Sequence, residues 1–222
     1  MDTNAKTNYE EMYPEEFKSV LKANPIAFLP LGSMEYHGYH HVLGLDSLKA
    51  WKICQLAAKR IGGVVFPPLY LGVDAWPDID LEKYPNKQYD CYHLDAKLYQ
   101  EVLENYIYRM IRIGFKKIFV LAGHYPNIDP AKLAAEKFSD QAVKFVIVKE
   151  PDLVDGETGD HAGKWETSLM MVSFPEFVDL KRMEYESDRL RAIEGEDPSL
   201  SSAVYGSEML NKMLRKIEEL LG

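Results

Sequence analysis

The sequence is short of cysteine, of positive charge and of long hydrophobic runs, and each shortage closes off a class of function. Its 222 residues include two cysteines, Cys54 and Cys91, with no C-x-x-C spacing, too few for a disulfide scaffold. They read as reduced core residues of a cytoplasmic protein. Lysine and arginine total 26 against 35 aspartates and glutamates, a net charge of -9. That balance argues against nucleic acid as a partner, because binding a polyanion rests on clustered basic side chains. No run approaches the ~20 apolar residues of a membrane span, so no membrane partner is expected. The opening "MDTNAKTNYEEMYPEEF" lacks the basic and apolar regions of a secretory signal. The expectation is a soluble, cytoplasmic protein with one domain over residues 1–222.

Short apolar runs alternate with amphipathic stretches, the pattern of an α/β protein. "PIAFLPLG" (25–32) and "KKIFVLAG" (116–123) are continuous apolar runs ending in glycine, as expected for strands buried on both faces. "GGVVFPPLYLG" (62–72) and "AVKFVIVKE" (142–150) are weaker strand candidates. A helix is expected over 46–62, with Asp46 and Ser47 as candidate caps and Gly62 as its end. A second is expected over 94–114, with Leu94, Leu98, Val102 and Tyr106 forming its apolar row and Gly114 its left-handed stop. "DPAKLAAEKF" opens a third helix at Asp129 and Pro130, and residues 207–222 close the chain as an amphipathic helix for packing or subunit contact. Two stretches resist any period, 74–93 and 152–165, and both read as ordered loops.

Histidine is scarce too, at six residues, and its placement is informative. "GSMEYHGYHHVLGLDS" (32–47) holds His37, His40 and His41 directly behind the first strand run. His124 follows the 116–123 run, and His161 lies in "GDHAGKWETS". Residues just past the carboxyl ends of parallel strands converge on one crevice. Carboxylates accompany them: Glu35 and Asp46 in the first stretch, Asp160 and Glu166 in the third. Such a donor set suits Zn²⁺ or Mn²⁺. A lone histidine at a strand end is commonly a packing residue, but three stretches each carrying chemistry-bearing side chains point to a metal site.

These stretches resemble the creatininase (creatinine amidohydrolase) family. Gly32, Ser33, Glu35, His37, Gly38, His40 and Asp46 fall in register with its first motif. Gly123, His124 and Asn127 match the second, and Asp160, His161, Ala162, Gly163, Glu166, Thr167 and Ser168 match the third. The resemblance implies a three-layer αβα sandwich with a mainly parallel sheet, two divalent metal ions (Zn²⁺ or Mn²⁺), and a homo-oligomer, hexameric in the family. Glu35, Asp46 and His124 would hold one metal. His37, Asp46 and a further carboxylate would hold the other, with Asp46 bridging. His161 would move protons, oriented by Asp160. His40, Tyr125, Trp76 and Trp165 are expected on the substrate side, while His41 and His93 receive no role.

Departures from the family pattern shape the functional expectation. Ala122 replaces a usual asparagine, and Pro126 stands where creatininase itself has a metal-binding glutamate. Glu166 is the expected replacement ligand. The family's Pro-Gly-Thr segment gives way to the aromatic 74–93 loop. The expected activity is cleavage of an amide C–N bond in a small polar, possibly cyclic molecule other than creatinine. A C–C hydrolase of a cyclic diketone and a non-catalytic metal-binding homologue are the alternatives.

Overall fold

Ile26–Leu31, buried along its whole length, forms strand β1 at the centre of the molecule. The structure is a computed structural model describing residues 6–74, 93–185 and 193–222. Trp76, the loop tyrosines Tyr84, Tyr89 and Tyr92, and Cys91 lie outside the described residues.

In chain order the regular elements are α1 (Pro14–Ala23), β1 (Ile26–Leu31), α2 (Leu45–Ile61), β2 (Val64–Val65), β3 (Gly72–Val73) and β4 (His93–Leu94). They continue with α3 (Ala96–Ile113), β5 (Lys117–Ala122), α4 (Ile128–Glu136), β6 (Lys144–Lys149), α5 (Lys164–Ser173) and α6 (Ala203–Leu221). The main sheet runs β2-β1-β5-β6, and every pairing is parallel. β1 and β5 are in register from Ile26 opposite Lys117 to Leu31 opposite Ala122. β3 and β4 form a separate two-stranded parallel ladder.

Alternate side chains of β1 and β5 feed two apolar cores, as the period of a strand requires. Phe28, Phe119 and Leu121 pack with α2, α5 and α6 on one face. Leu29, Leu31, Ile118 and Val120 pack with α3 and α4 on the other. The result is a three-layer αβα sandwich. Its strand order reverses between β1 and β5, so the carboxyl ends of these two strands open the crevice where α/β proteins place their sites.

Several elements depart from expectation. α3 buries Tyr99, Leu103, Ile107 and Met110, one position on from the expected row, and leaves Leu98 exposed. The cause is local: Leu94 is taken into β4, and Asp95 caps α3 by accepting from the Lys97 and Leu98 N–H groups. The 62–72 run supplies the two-residue β2 and the first residue of β3, with Leu69 bridging to Leu31 between them. Asp46 and Ser47 sit inside the first turn of α2 and do not cap it; the Ser47 hydroxyl donates to the Leu69 carbonyl. α1 is an element that the sequence pattern does not announce. It opens on Pro14, where a missing N–H costs nothing, and packs Phe17, Val20 and Leu21 on the second core. α6 buries Met209, Met213, Leu214 and Ile217 against the first core, which makes it a packing helix.

Candidate metal centre

The carboxyl ends of β1 and β5 and the starts of α2 and α5 bring one cluster of buried polar side chains together. Glu35 and His37 come from the loop after β1, Asp46 from the first turn of α2, His124 from just past β5, and Glu166 from the first turn of α5. All five are buried. Two glycines allow α2 to start against the strand ends. A Cβ on Gly32 would lie 2.2 Å from the Ser47 hydroxyl, and one on Gly123 would lie 2.3 Å from the Asp46 carbonyl. Asp46 is further favoured where it stands, since the first turn of a helix attracts negative charge.

Backbone carbonyls fix both histidine rings. His37 Nδ1 donates to the Glu35 carbonyl at 3.1 Å, and His124 Nε2 donates to the Val73 carbonyl at 2.8 Å. A carbonyl oxygen only accepts, so the ring nitrogen facing it carries the proton, and the opposite nitrogen of a neutral ring presents a lone pair. Those lone-pair positions point at carboxylates. His37 Nε2 lies 3.2 Å from Asp46 Oδ1 and 3.6 Å from Glu166 Oε2. His124 Nδ1 lies 2.9 Å from Glu35 Oε2 and 3.2 Å from Asp46 Oδ2. Acceptors facing acceptors in a buried site require a cation between them, a proton or a metal.

The electrostatics agree. Burial opposes charge on His37 and His124, yet the carboxylates prevail. Asp46, Glu166 and Glu35 push His37 up to about 9, and Asp46 and Glu35 push His124 up to about 10. For Asp46 and Glu35, burial pulls upward, and the histidines outweigh it and hold both carboxyls well below the usual range. His37, Asp46 and Glu166 form one three-donor group with ligand atoms within 4.8 Å of one another. Glu35 and His124 belong to a second such group, and Asp46 presents one oxygen to each histidine. The donor set and its facing lone pairs fit two divalent cations sharing Asp46.

Comparison with known proteins decides the family. The family model described as Creatininase: Creatinine amidohydrolase matches residues 10–221. The chain belongs to the creatininase family. A curated relative, creatinine amidohydrolase of Pseudomonas putida, is 28% identical over 179 residues, covering 71% of this chain and 68% of the relative. A crystal structure of creatinine amidohydrolase (creatininase) superposes with a TM-score of 0.80 at 23% identity, covering 97% of this chain and 96% of that one. A mutant creatininase described as of Zn-Zn type gives a TM-score of 0.79 at 23% identity over 96% of each chain. A structure described as creatininase Mn gives 0.74 at 23% identity over 96% of this chain and 97% of that one. The creatininase family is one of hydrolases, and the αβα fold read from the motifs is the fold of these structures.

The remaining motif residues of this creatininase-family chain are distributed around the cluster. His161 stacks on His37, ring centroids 4.2 Å apart, and its Nε2 donates to the Tyr36 carbonyl at 3.1 Å. Burial, with the neighbouring His37 charge, lowers its basicity. Asp160 does not orient His161 as expected; its carboxylate accepts from the Trp165 and Glu166 N–H groups at 2.7 and 3.1 Å. It thus satisfies the open amides at the start of α5, and the Tyr36 carbonyl holds the His161 ring. His40 Nε2 donates to the Ala162 carbonyl, and the Ala162 N–H donates to Glu166 Oε2 at 2.8 Å. Ala162 has φ of 54°, a left-handed conformation that an alanine adopts at a cost, so these two bonds hold a strained link beneath Glu166.

Trp165 is placed away from the expected substrate side. It is buried in the core beneath α5 and α6, edge-on to Tyr205 at 6.5 Å. Tyr125 lies near the cluster, its ring beneath the ammonium groups of Lys49 at 5.8 Å and Lys149 at 5.5 Å. His41 is a packing residue, its Nε2 2.8 Å from the Thr167 hydroxyl. Pro126 sits in the short 3₁₀ turn Tyr125–Asn127 and offers no ligand, while Glu166 reaches the His37 side of the cluster.

Two participants, His93 and Lys49, are not signalled by the sequence pattern, and Asn127, a motif residue given no role by the sequence, gains one from the structure. His93, at the start of β4, stacks 5.7 Å from His124 and joins Glu35 and His124 in a donor group within 4.8 Å. Its signal is hidden at the end of an aperiodic loop. Asn127 accepts from the Val73 N–H and donates to the Gly32 carbonyl, tying β3 to the end of β1. Lys49, one turn into α2, reads as an ordinary polar helix residue but is buried against Glu166 and Glu150.

Proposed function

We propose that this protein is a two-metal hydrolase that cleaves the amide C–N bond of a small polar molecule other than creatinine. The observation that carries the reading is the double-faced Asp46, whose two oxygens each meet a different buried histidine lone pair. Glu35, Asp46 and His124 would hold one ion, and His37, Asp46 and Glu166 the other. Zinc and manganese both suit these donors, and creatininase structures described as Zn-Zn and Mn share the fold. When bound, the ion pair activates water at neutral pH and polarises the substrate carbonyl.

The chain's own residues supply the rest. The Tyr36 carbonyl fixes His161 Nε2 as the protonated nitrogen, which leaves Nδ1 as a lone pair able to accept a proton and return it to the leaving nitrogen. Lowered basicity keeps that ring neutral near pH 7, the form a proton acceptor needs. His40 fixes the Ala162 link that positions Glu166. Pro126 supports a substrate other than creatinine, since creatininase uses a glutamate there. The reading extends to a cytoplasmic homo-oligomer. The acidic charge supports a small-molecule substrate over a nucleic acid, and among the described residues no helix is long and apolar enough to cross a membrane.

The test is hydrolysis of a panel of small cyclic amides, formamides and ring diketones by zinc- or manganese-loaded protein. Metal-dependent release of amine or ammonia from an amide supports the reading. Turnover confined to the diketones, or activity indifferent to chelator, contradicts it.

A further inference from the structure

Lys49 lies behind the cluster, and its side chain has no exposure to solvent. It is the one buried lysine or arginine among the described residues. Its Nζ donates to Glu166 Oε1 at 2.5 Å and lies 3.6 Å from Glu150 Oε1. Glu150, directly after β6, is also fully buried, and neither of its carboxylate oxygens has a hydrogen-bond partner. Burying an ammonium is expensive, so it persists only where anions match it. Here the two oxygens of Glu166 are divided. Oε1 belongs to Lys49, while Oε2 accepts the Ala162 N–H and faces His37 Nε2.

We propose that Lys49 is a positioning residue that makes Glu166 a one-oxygen ligand, and that Glu150 is the second buried partner that keeps Lys49 in place. The inference rests on the assignment of Glu166 to the second metal. A carboxylate beside a divalent ion binds through one oxygen or both, and the choice sets the coordination number. With Oε1 held by an ammonium, only Oε2 is left to donate. The metal beside His37 and Asp46 then keeps a position open for substrate or water, as catalytic sites require. Glu150 is too enclosed to meet solvent and makes no capping bond through its side chain, which leaves the Lys49 ammonium as the group it serves.

Cobalt(II) reports coordination number through its visible absorption, which is strong for four-coordinate ions and weak for five or six. The cobalt-loaded wild type is compared with Lys49→Met and with the double variant Lys49→Met/Glu150→Gln. The double variant removes both members of the pair and so avoids stranding a buried charge. Loss of visible intensity in both variants at unchanged cobalt stoichiometry is expected, because the freed Oε1 joins Oε2 on the metal. A wild-type spectrum in a folded variant, or loss of one cobalt, overturns the proposal. Glu166→Gln separates this from the underlying assignment. If that variant keeps two cobalt ions and the wild-type spectrum, Glu166 is no ligand and the metal assignment itself fails. If it loses one cobalt while the Lys49 variants keep the wild-type spectrum, only the role of Lys49 is wrong.

Discussion

Asp46 Oδ1 lies 3.2 Å from His37 Nε2, and the other oxygen of the same carboxylate meets His124. One short side chain therefore belongs to two donor groups, and its loss should be felt in both. Asp46→Asn is expected to weaken both metals, whereas Glu35→Gln should mainly empty the His124 side. Metal content after dialysis, by elemental analysis, checks this. Equal losses in the two variants would contradict the division.

The histidines set the pH dependence. With folded values of about 9 for His37 and about 10 for His124, each ring carries a second proton, on the nitrogen facing the carboxylates, near pH 7.5 in the metal-free protein. An incoming metal must displace those protons, so zinc binding should release about two of them and tighten as pH rises toward 10. The stability effect has the matching sign. Folded values above the unfolded ~6.5 stabilise fully below that pH, and the gain is lost as pH rises through 9 to 10. Calorimetric titration in buffers of different ionisation enthalpy measures the proton count. Heats independent of buffer would contradict it.

His161 and Asp160, adjacent in sequence, should separate in experiment. His161→Ala should leave metal content near normal and slow turnover by roughly 10²–10⁴-fold, the scale of a proton-transfer residue. Asp160→Ala removes the acceptor of two helix amides and should cost about 1 kcal/mol of stability. Metal analysis, steady-state rates and thermal unfolding distinguish the two. Loss of metal from His161→Ala would make that ring a ligand.

Much of the frame behind these assignments is legible in the sequence. β1 and β5 stand out because a strand buried on both faces must be apolar throughout. Gly32 and Gly123 mark their ends because α2 comes too close for a Cβ. The row on α3 lies one position away from the one its spacing suggests, because nothing in the pattern says that Leu94 pairs with Val73 in a ladder. The five residues of the candidate metal centre are legible because polar groups of one kind of chemistry stand together near the strand ends. Lys49 and Glu150 are not, since each sits alone in an ordinary helix or strand end. Their partnership depends on α2, α5 and β6 meeting in space, with Lys49 and Glu166 117 positions apart. Asp160 stands beside His161 in sequence, and that adjacency hides the open amides of α5 that it serves.

Creatinine should be turned over poorly or not at all by the metal-loaded protein. Pro126 supplies no carboxylate where creatininase has one, and Glu166 reaches the site from α5 instead, from a different direction. The assay is creatine formation from creatinine. Efficient conversion would show that the pocket tolerates both changes.

The most direct test of the two-metal account is the metal count of the reconstituted wild type beside Glu166→Gln. Glu166 belongs to the group of His37 and Asp46 and not to that of Glu35 and His124. The account predicts about two divalent ions per chain in the wild type, falling to about one with loss of activity in the variant. A wild type that binds no metal after reconstitution, or a Glu166→Gln protein that keeps both ions and its activity, would contradict it.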